Sequence, residues 1–520
     1  MPRFFRLKVL AVVLCLAIAV QAAEAPKTVA VTVLYSNDFH AAIQPMKATW
    51  LVDQPRIGGI RAFAGWVEAM QREQPNPFLF DSGDLFTGQA ISFITRGRAP
   101  MDMFKTIGFD AVCYGNHEFD YGIQTARSYQ DVEPFPVLAA NIFYKDGRPF
   151  AKPYAIVEKN GIRVAVIGIF GVDAMPSTAA ITWETLDVRD PLPILRQLVP
   201  ELRTQADLIV VLAHQGETGP MQEDAEAHPE VQRNFEADKR TVEAVPGIDV
   251  FIGGHAHRGI EVPWVSPTTG SIVVQTYGRG TTLGVLHLTY DRAQHKVVQH
   301  EGGLVRIVPG IFPTPLKVEQ VVERWEAESN RIGSEVLGTS AAALHRNYDG
   351  ESALGDLIAD AMLWKTGAQI AFENAGGIRT DLAKGPVSRA DAIGVAPFIN
   401  SLVTMNMTGS QIRQVLEQSL TLKVGMMQVA GLRVTYDLGK PEYHRVVSVQ
   451  AGRGPLEDAQ TYPVVTNSFI ATGGDHYEMF KGIRPQKDTG LLVSDMLMEY
   501  ILEKKTVDLP AGGRLLAVKH

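Results

Sequence analysis

Five short polar clusters contain the residues that could do chemistry in this chain, and each cluster follows an apolar run. They read SNDFH at 36–40, DSGD at 81–84, GNHE at 115–118, AHQG at 213–216 and GGHAH at 253–257. One histidine at the end of a strand is ordinarily a hydrogen-bonded structural residue. Five clusters that together supply Asp, His and Asn are better explained as ligands that converge on metal ions.

A mixture of imidazole and carboxylate ligands fits a centre with two divalent cations. Two such cations a few ångströms apart can bind a phosphate ester, lower the pKa of a bridging water and stabilise developing charge. One carboxylate should bridge the ions, and Asp84 is the natural candidate. On an extended segment alternate side chains share a face, so Asp38 and His40 can reach one ion together. By position, His255 and His257 can do the same.

The apolar runs before the clusters predict strands, and helix-like stretches lie between several of them. From about residue 28 to 309, β-branched runs such as VAVTVLYS and DLIVVLA are bounded by turn residues, which is typical of strands buried on both faces. RAFAGWVEAMQRE and PLPILRQLVPELRTQA have the character of helices. This alternation predicts a layered α/β domain in which the polar clusters line a crevice at the same sheet edge.

A polar helix after a Pro-rich break separates this part from the rest of the chain. PTPLKVEQVVERWEAESNRIG predicts a linker helix at 313–334. ESALGDLIADAMLWKTGA then predicts an amphipathic helix near the start of a second domain, and several strands follow it. We therefore expect a first domain at 26–312, the linker, and a smaller domain at 335–520.

The composition is that of a globular chain and argues against a protein that binds nucleic-acid polymers. Of 520 residues, 46% are hydrophobic and 20% are charged, and the net charge is -8 with a pI of about 5.9. Nucleic-acid binders usually present a basic face. A small anionic substrate stays compatible with this balance, because metal ions supply local positive charge.

The N-terminus has the pattern of a secretory signal peptide. Arg3, Arg6 and Lys8 precede the apolar run VLAVVLCLAIAV, and small residues follow in QAAEAP. The run is shorter than the roughly 20 residues that a spanning helix needs, so a membrane anchor is the weaker interpretation. We expect a signal peptide at 1–25, cleaved after Ala22 or Ala25, and a periplasmic or secreted mature chain without a stable membrane anchor.

The motifs D-x-H, GD, GNHE, AHxG and GHxH, in this order, resemble those of the calcineurin-like metallophosphoesterases. RIGGIRAF, GNHEFD and segments of the second domain narrow the resemblance to the secreted bacterial 5′-nucleotidase family, which includes UDP-sugar hydrolases and 2′,3′-cyclic-nucleotide phosphodiesterases. The likeness covers nearly the whole mature chain. It implies a four-layer α/β/β/α metallophosphoesterase domain followed by a smaller α+β 5′-nucleotidase C-terminal domain that binds the substrate.

The resemblance also implies two divalent metal ions that share one carboxylate. Their ligands would be Asp38, His40, Asp84 and His257 for one ion, and Asp84, Asn116, His214 and His255 for the other. This mixture of imidazole, carboxylate and amide groups suits zinc, manganese, cobalt or iron.

His117 then has a separate, catalytic role in the resemblance. Asn116 is a neutral ligand, while the adjacent His117 points to the substrate, where its protonated form can stabilise the transition state or help the leaving oxygen. Asp120 can orient the imidazole and raise its pKa, and the alternative for Asp120 is a turn cap. Glu118 would be a supporting or structural residue.

Three segments of the second domain resemble the substrate-binding part of the family. FENAGGIRTDL supplies Asn374 and Arg379, VAPFINSL supplies Phe398, and NSFIATGGDHY supplies Phe469 and Asp475. In the family two such aromatic residues sandwich the base, and this tolerates different bases because every base has a π-face. Arg379 and Asp475 would contact ribose, phosphate or the base edge. The alternative for each Phe is an ordinary core residue.

Two positions depart from the family pattern. An arginine often stands just before the E-x-x-x-G-N motif, where this chain has Gly350, and Asp356 stands where Asn is common. Either Arg346 takes the place of this arginine, or one anion contact is missing. This departure weakens a choice between nucleoside monophosphates and larger nucleotides.

We therefore expect an exported dinuclear-metal phosphohydrolase that releases phosphate from nucleotides by in-line attack of metal-activated water, with 5′-nucleotidase as the favoured activity. UDP-sugar hydrolysis and 2′,3′-cyclic-nucleotide 2′-phosphodiesterase/3′-nucleotidase activity are the nearest alternatives. A thiosulfohydrolase-like enzyme and a non-catalytic nucleotide-binding protein are more distant ones. The sequence does not indicate the metal, the base or the oligomeric state.

Overall fold

The computed structural model describes residues 27–518, apart from 49, 75, 133–134, 179 and 217–234. The signal-peptide prediction for residues 1–25 therefore lies outside the described residues. Within the described part of the chain, no helix has both the length and the apolar character needed to cross a membrane.

The first half of the chain builds two six-stranded sheets. Its strands are β1 Thr28–Ser36, β2 Met46–Lys47, β3 Arg56–Ile57, β4 Phe78–Asp81, β5 Ala111–Cys113, β6 Val137–Leu138, β7 Ile142–Tyr144, β8 Tyr154–Lys159, β9 Ile162–Phe170, β10 Leu186–Val188, β11 Leu208–Gln215, β12 Val250–His255, β13 Trp264–Val265, β14 Ile272–Val274, β15 Thr282–Asp291 and β16 Lys296–Arg306. The first sheet has the order β16-β15-β1-β4-β5-β6, and the second has the order β13-β14-β12-β11-β9-β8. In each sheet four neighbouring strands are parallel.

Helices cover the outer faces of the two sheets. They are α1 Ile60–Glu73, α2 Ala90–Thr95, α3 Arg98–Ile107, α4 Ile123–Val132, α5 Pro191–Arg203 and α6 Glu236–Ala244. One apolar cluster, which includes Val33, Phe80 and Leu212, fills the space between the sheets. Residues of α1 and α3 pack on the outside of the first sheet, and residues of α5 and α6 pack on the outside of the second. This arrangement confirms the predicted α/β/β/α layers.

The polar clusters follow five parallel strands that belong to both sheets. β1, β4 and β5 lie side by side in the first sheet, whereas β11 and β12 are neighbours in the second. The prediction of a single sheet edge is therefore wrong in detail. The crevice lies where the carboxyl ends of the two facing sheets meet, so each sheet supplies part of the site.

The second half of the chain combines helices with three smaller sheets. Its helices are α7 Leu316–Gly333, α8 Ala353–Thr366, α9 Arg389–Val395, α10 Gly409–Ser419, α11 Ser468–Ala471 and α12 Val493–Lys504. Its strands are β17 Val336–Ser340, β18 Ile370–Glu373, β19 Gly385–Ser388, β20 Ser401–Thr408, β21 Gln428–Ala430, β22 Leu432–Tyr436, β23 Val446–Ala451, β24 Gly454–Pro455, β25 Thr461–Asn467, β26 Gln486–Leu492, β27 Thr506–Val507 and β28 Leu515–Ala517. The largest sheet has the order β21-β18-β25-β20-β26.

Two apolar cores pack on opposite faces of this five-stranded sheet. Phe372 and Val464 belong to one core, whereas their chain neighbours Ala371 and Val465 belong to the other. Successive side chains of a strand point to opposite faces, so one sheet can support both cores. The ends of β18 and β25 therefore have a rigid base, and the segments that follow them reach the substrate cavity described below.

Helix α7 joins the two halves and packs on the first. Its apolar residues Val318 and Trp325 belong to the core that also contains α1 and α3. Arg61 of α1 binds the carboxylates of Glu319 and Glu326 on α7, at 2.9 and 2.7 Å. The linker predicted at 313–334 is thus a helix that is fixed to the first half by both apolar and ionic contacts.

Candidate metal centre and substrate cavity

Five of the predicted ligands have left-handed backbone conformations. The angle φ is 51° at Asp38, 48° at His40, 60° at Asp84, 70° at His255 and 53° at His257. Non-glycine residues rarely adopt such angles and keep them only where the surroundings hold them. The prediction that Asp38 and His40 alternate along an extended segment is therefore wrong. The chain turns sharply after the strand instead, and the turn directs both side chains into the crevice.

Asp84 lies between two groups of side chains that could hold a metal ion. Its Oδ2 is 3.2 Å from Nε2 of His214 and 4.0 Å from Nε2 of His40. Its Oδ1 accepts a hydrogen bond from the main-chain N–H of His117 at 2.8 Å. Asp84 groups with His40 and His117 on one side and with His214 and His255 on the other. One carboxylate thus lies within reach of two candidate cation positions.

The first cation position is surrounded by Asp38, His40 and His257 in addition to Asp84. Nε2 of His40 lies 3.0 Å from Nε2 of His257, which is 3.5 Å from Oδ1 of Asp38. All four residues are buried. This is the group that the resemblance implied for one ion.

The second position is surrounded by Asn116, His214 and His255. Nε2 of His214 lies 3.0 Å from Oδ1 of Asn116, and the rings of His214 and His255 are 5.0 Å apart. His255 and His257, which by position alone could share an ion, therefore lie in different groups. The structure divides them as the resemblance implied.

The hydrogen bonds of two imidazoles test whether this donor set fits divalent cations. Nδ1 of His40 lies 3.0 Å from the carbonyl oxygen of Thr87, and Nδ1 of His214 lies 2.8 Å from that of Ser82. A carbonyl only accepts, so each Nδ1 carries a proton and each Nε2 of the neutral ring presents a lone pair. These lone pairs face another imidazole nitrogen, a carboxylate and an amide oxygen. A cation between them satisfies all of these groups, so the residues present fit the metal.

The electrostatics of the two histidines agree with this interpretation. Burial, followed by the charge of Arg379, lowers the pKa of His40 well below its ordinary value, so this ring is neutral and can act as a ligand. Burial also opposes charge on His214, but the Asp84 and Asp38 carboxylates outweigh it and raise its pKa to about 10. Without a metal ion Nε2 of this ring therefore also carries a proton, and a cation bound by the same carboxylates would take the place of that proton.

His117 pairs with Asp120 at the edge of this centre. Its Nδ1 is 2.7 Å from Oδ2 of Asp120, and its Nε2 is 3.9 Å from Oδ2 of Asp84. Burial alone would lower the pKa of His117, but the carboxylates of Asp120 and Asp84 outweigh it and raise this pKa above the ordinary value. Asp120 thus contacts the imidazole directly, as predicted, and favours its protonated form.

Thr87 connects the His117–Asp120 pair to the metal ligands, and the sequence analysis did not identify it. Its hydroxyl donates to Oδ2 of Asp120 at 2.5 Å, while its carbonyl oxygen accepts from His40. The residue is fully buried and has φ of 55°, which is exceptional for a β-branched side chain. The available signal was its place three residues after Asp84.

Glu118 supports the turn that carries these residues. Its carboxylate accepts the main-chain N–H groups of Asp84 at 2.9 Å, Leu85 at 2.7 Å and Gly115 at 2.6 Å. The side chain is buried and, among the described residues, belongs to none of the groups that could hold a metal ion. The supporting role considered for Glu118 therefore matches its position.

A cavity of about 360 Å³ extends from the metal centre to the second half of the chain. From the first half, His40, Asp84, Asn116, His117, Asp120, His255 and His257 line it. From the second half, Tyr348, Asn374, Arg379, Phe398, Phe469 and Asp475 line it. All five substrate residues predicted from the sequence therefore face the same cavity as the metal ligands.

The two phenylalanines differ in how they are held. Phe398 is half-buried, and its ring centroid lies 5.8 Å from that of His117 and 5.7 Å from the guanidinium carbon of Arg379. Phe469 is 8% exposed and also belongs to the apolar core of the second half. Its ring lies over Gly474, where a Cβ atom would approach the ring to 2.5 Å. The alternative of an ordinary core residue thus describes part of the surroundings of Phe469.

Positive charge gathers around Arg379, which lines the cavity. Burial, followed by the charges of Arg279 and Arg346, lowers the pKa of Arg379 to about 10. Like charges that are brought together in this way are relieved by an anion. A phosphate group is an anion of the expected size and charge.

The two departures from the family pattern have structural explanations. Arg346 is outside the cavity lining, and in the described part of its loop Tyr348 is the residue that lines it. The ring of Tyr348 packs against Gly425, which has φ of 83°. Asp356 forms an ion pair with Arg514 at 3.5 Å. Its carboxylate therefore lies beside the arginine that precedes the C-terminal strand, and Asp360 binds the same arginine at 2.7 Å. The local sequence did not indicate this contact.

Comparisons with known proteins agree with both halves of this description. A family model for calcineurin-like phosphoesterases matches residues 31–259, and one for the 5′-nucleotidase C-terminal domain matches residues 331–482. The chain is 27% identical to a 5′-nucleotidase from Diplobatis ommata, over 94% of this chain and 90% of that protein. It is also 27% identical to the trifunctional nucleotide phosphoesterase protein YfkN of Bacillus subtilis, over 90% of this chain but 34% of that protein.

A solved structure shares the whole architecture. The 5′-nucleotidase precursor from Thermus thermophilus superposes with a TM-score of 0.81 and 28% identity, covering 95% of this chain and 100% of that one. The first matched range contains the side chains that could hold metal ions, and the second contains the side chains of the second half that line the cavity. The chain therefore belongs to the calcineurin-like phosphoesterases that carry a 5′-nucleotidase C-terminal domain, and it is a metal-dependent phosphoester hydrolase.

Proposed function

We propose that this chain is an exported 5′-nucleotidase that releases phosphate from nucleoside 5′-monophosphates. One observation carries the proposal: a single cavity joins the metal-binding side chains to the two phenylalanines and the polar groups of the second half. Phosphoester chemistry alone needs only the first half. An aromatic and polar wall that lines the same cavity as the metal-binding side chains gives the second half a purpose, which is to select the substrate.

Two divalent ions complete the site in this proposal. Asp38, His40, Asp84 and His257 would hold one ion, and Asp84, Asn116, His214 and His255 would hold the other. When bound, the ions supply Lewis acidity to phosphoryl oxygens and lower the pKa of coordinated water. The mixture of imidazole and carboxylate ligands is compatible with zinc, manganese, cobalt or iron.

The protein's own groups position the phosphate and control the proton. Asp120 holds the proton of His117 at Nδ1, which leaves Nε2 directed toward the cavity and close to Asp84. From there a protonated His117 donates to a phosphoryl oxygen or to the leaving oxygen of the ribose. Arg379 approaches from the opposite wall and stabilises the negative charge of the phosphate.

In this proposal the second half of the chain binds the nucleoside. Phe398 and Phe469 stack on the two faces of the base, and such stacking accepts any base. Asn374 and Asp475, which are joined by a hydrogen bond of 2.9 Å, contact the ribose or the base edge. The corresponding domains are 26–312 for catalysis, 313–334 as the linker and 335–520 for the substrate. Residues 1–25 direct export to the periplasm or the medium.

Rates of phosphate release across a panel of substrates test the proposal. We expect AMP and other 5′-monophosphates to be hydrolysed faster than UDP-glucose, 2′,3′-cyclic AMP, 3′-AMP and thiosulfonate compounds. A preference for UDP-glucose or the cyclic nucleotide would replace the 5′-nucleotidase assignment by one of its relatives. Binding of AMP without turnover in the presence of Mn²⁺, Co²⁺ or Zn²⁺ would make the chain a binding protein. Metal analysis of the active protein should give two ions per chain.

A further inference from the structure

A buried carboxyl group lies behind the substrate wall and takes no part in the chemistry described above. Glu373 is the last residue of β18, and it is 2% exposed. Its Oε2 accepts a hydrogen bond of 3.0 Å from the side-chain amide of Asn467, the last residue of β25. Its Oε1 packs against Gly377, where a Cβ atom would approach it to 2.6 Å. The carboxyl is therefore held between two segments that lead to the cavity.

Asn467 connects Glu373 by hydrogen bonds to the segment that carries Phe469. Its Nδ2 donates to Glu373 and also to Oδ1 of Asn374 at 2.9 Å, so both amide protons are used. Its Oδ1 accepts from the main-chain N–H of Ile470 at 2.9 Å and caps helix α11. An amide with every group engaged has one orientation. The position of α11, and of Phe469 on it, is thus linked to Glu373.

Asn374 continues the series toward the cavity. Because its Oδ1 accepts from Asn467, its Nδ2 is directed to Oδ2 of Asp475 at 2.9 Å. Asp475 has φ of 51° and is held in this unusual conformation next to the glycines at 473 and 474. One hydrogen-bonded series, Glu373–Asn467–Asn374–Asp475, therefore connects a buried carboxyl to two residues that line the cavity.

The buried environment determines the state of the carboxyl. Burial raises the pKa of Glu373 to about 8, and the nearby charge of Asp475 acts in the same direction. A neutral carboxyl can remain at this depth without a counterion, because its cost of burial is reduced by the hydrogen bond from Asn467. An apolar residue at this position would fill the space but would leave one amide proton of Asn467 without an acceptor.

We propose that Glu373 is a positioning residue for the nucleoside. Its carboxyl fixes the orientation of the Asn467 amide. This amide in turn positions Asn374, Asp475 and helix α11, which carries Phe469, on one side of the substrate. The inference rests on the proposed function, since these groups contact substrate only if the substrate is a nucleotide. Glu373 itself touches neither the substrate nor the metal groups, so its effect should appear in binding and not in the chemical step.

Two substitutions at Glu373 separate the hydrogen bond from the packing. Glu373→Met keeps an unbranched side chain of similar length but removes the carboxyl acceptor. Glu373→Gln keeps an oxygen that can accept from Asn467. We expect Glu373→Met to raise KM for AMP by roughly tenfold, the scale of leaving one buried donor unsatisfied, with kcat within about twofold. Glu373→Gln should restore KM to within about threefold of the wild type.

Two further measurements make the test specific: the hydrolysis of a small substrate without a nucleoside, and a substitution at Asn467. Hydrolysis of bis(p-nitrophenyl) phosphate by Glu373→Met should stay within about twofold of the wild type, because the metal centre and His117 are untouched. Asn467→Ser keeps an oxygen to cap α11 but lacks the amide donors, so it should raise KM for AMP in the same way. This second variant provides the test if Glu373→Met does not fold.

Each outcome of these measurements has a clear consequence. Unchanged KM for AMP in Glu373→Met or in Asn467→Ser overturns the inference, as do equal KM increases in Glu373→Met and Glu373→Gln. Equal losses on AMP and on bis(p-nitrophenyl) phosphate overturn it too, because they indicate a general effect on folding. A wild-type protein that hydrolyses the small diester but no nucleotide would instead overturn the proposed function, and this inference with it.

Discussion

The two walls of the cavity are built in different ways. In the catalytic wall, charged side chains follow directly after parallel strands, adopt left-handed backbone angles, and are fixed by contacts to main-chain groups, as Glu118 shows with its three N–H donors. In the substrate wall, the functional groups come from loops and from a short helix, and amide side chains hold them together. The catalytic wall is thus held mainly by contacts to main-chain groups, whereas the substrate wall depends on a few side-chain hydrogen bonds.

This difference predicts how substitutions in the two walls behave. A change in the catalytic wall should remove metal or the chemical step and affect all substrates alike. A change in the substrate wall should act on binding and should depend on the substrate.

The largest effect is expected at Asp84, the carboxylate that both metal groups share. Asp84→Ala should lose most bound metal and reduce phosphate release on the order of 10³-fold or more, since several kcal/mol of charge stabilisation depend on the metals. Asp84→Asn is the matched variant that keeps an oxygen for the N–H of His117. Metal content by mass spectrometry and turnover measure the effect. If Asp84→Ala keeps near-normal metal content and turnover, the shared role is wrong.

His117 should show a smaller effect that is confined to the chemical step. His117→Asn should retain both metals and the KM for AMP, but kcat should fall by roughly 10²–10⁴-fold, the usual contribution of a general acid. The same loss is expected with bis(p-nitrophenyl) phosphate, because the residue acts on the phosphate and not on the base. An unchanged kcat with a raised KM would make His117 a binding residue instead.

The phenylalanine pair should show the opposite dependence on substrate. Phe398→Ala and Phe469→Ala should each cost on the order of 1–3 kcal/mol in kcat/KM for AMP, which is the scale of stacking on one base. The double variant should lose less than the sum, because one open face already frees the base to shift. Hydrolysis of bis(p-nitrophenyl) phosphate should change much less.

Equal losses on AMP and on the small diester would mean that the two rings support the fold. This outcome has more structural basis for Phe469, which also packs in the apolar core, than for Phe398. Phe398→Leu serves as the matched variant, since it keeps apolar volume without an aromatic face. Circular dichroism on each variant shows whether the fold is retained.

The same comparison explains what could be predicted from the sequence. The candidate ligands of the catalytic wall follow apolar runs directly, so their types and order predicted the α/β layers, which the structure confirms, and a set of metal-binding residues, which the structure brings together in one crevice. The backbone angles at Asp38 and His40 could not be predicted, because the main-chain N–H groups of these residues bind the carbonyl oxygens of Gly83 and Asp84, which are distant in sequence. The placement of His255 and His257 in different candidate groups was implied by the resemblance and not by their spacing.

Long-range contacts account for what the sequence did not reveal. Thr87 acquires its role through contacts with His40 and Asp120, 47 and 33 positions away along the chain. Tyr348 lines the cavity where an arginine was expected nearby, and the partner of Asp356 is Arg514, which is distant in sequence. These contacts form only after folding, so no local pattern indicates them.

Thr87 offers a test of how much the catalytic wall depends on side-chain hydrogen bonds. Thr87→Val removes the hydroxyl that donates to Asp120, and we expect kcat to fall roughly tenfold, the scale of one hydrogen bond to a charged group. Metal content should not change, because the main-chain carbonyl still accepts from His40. Thr87→Ser keeps the hydroxyl and should retain most of kcat. Equal losses in both variants would point to the strained backbone at this position instead.

The smallest effect on activity is expected for Glu373→Gln at the buried carboxyl of the substrate wall, where the change appears in the pH dependence of stability. Burial raises the pKa of Glu373 from its ordinary value of 4.5 to about 8, so the folded protein keeps a proton that the unfolded chain releases. Between these two pH values the unfolded state binds fewer protons, and stability therefore falls as pH rises. One such group contributes a slope of at most about 1.4 kcal/mol per pH unit in the free energy of unfolding.

Glu373→Gln has no proton to release and should lose this slope. Its Tm relative to the wild type should therefore increase steadily from pH 5 to pH 8. Asp475, whose pKa burial raises to about 7, is present in both proteins, so its own contribution largely cancels in the difference. A constant difference for Glu373→Gln would mean that the carboxyl is charged in the folded protein. In that case a charged carboxylate would hold Asn467, and the substrate wall would contain a buried negative charge next to Asp475.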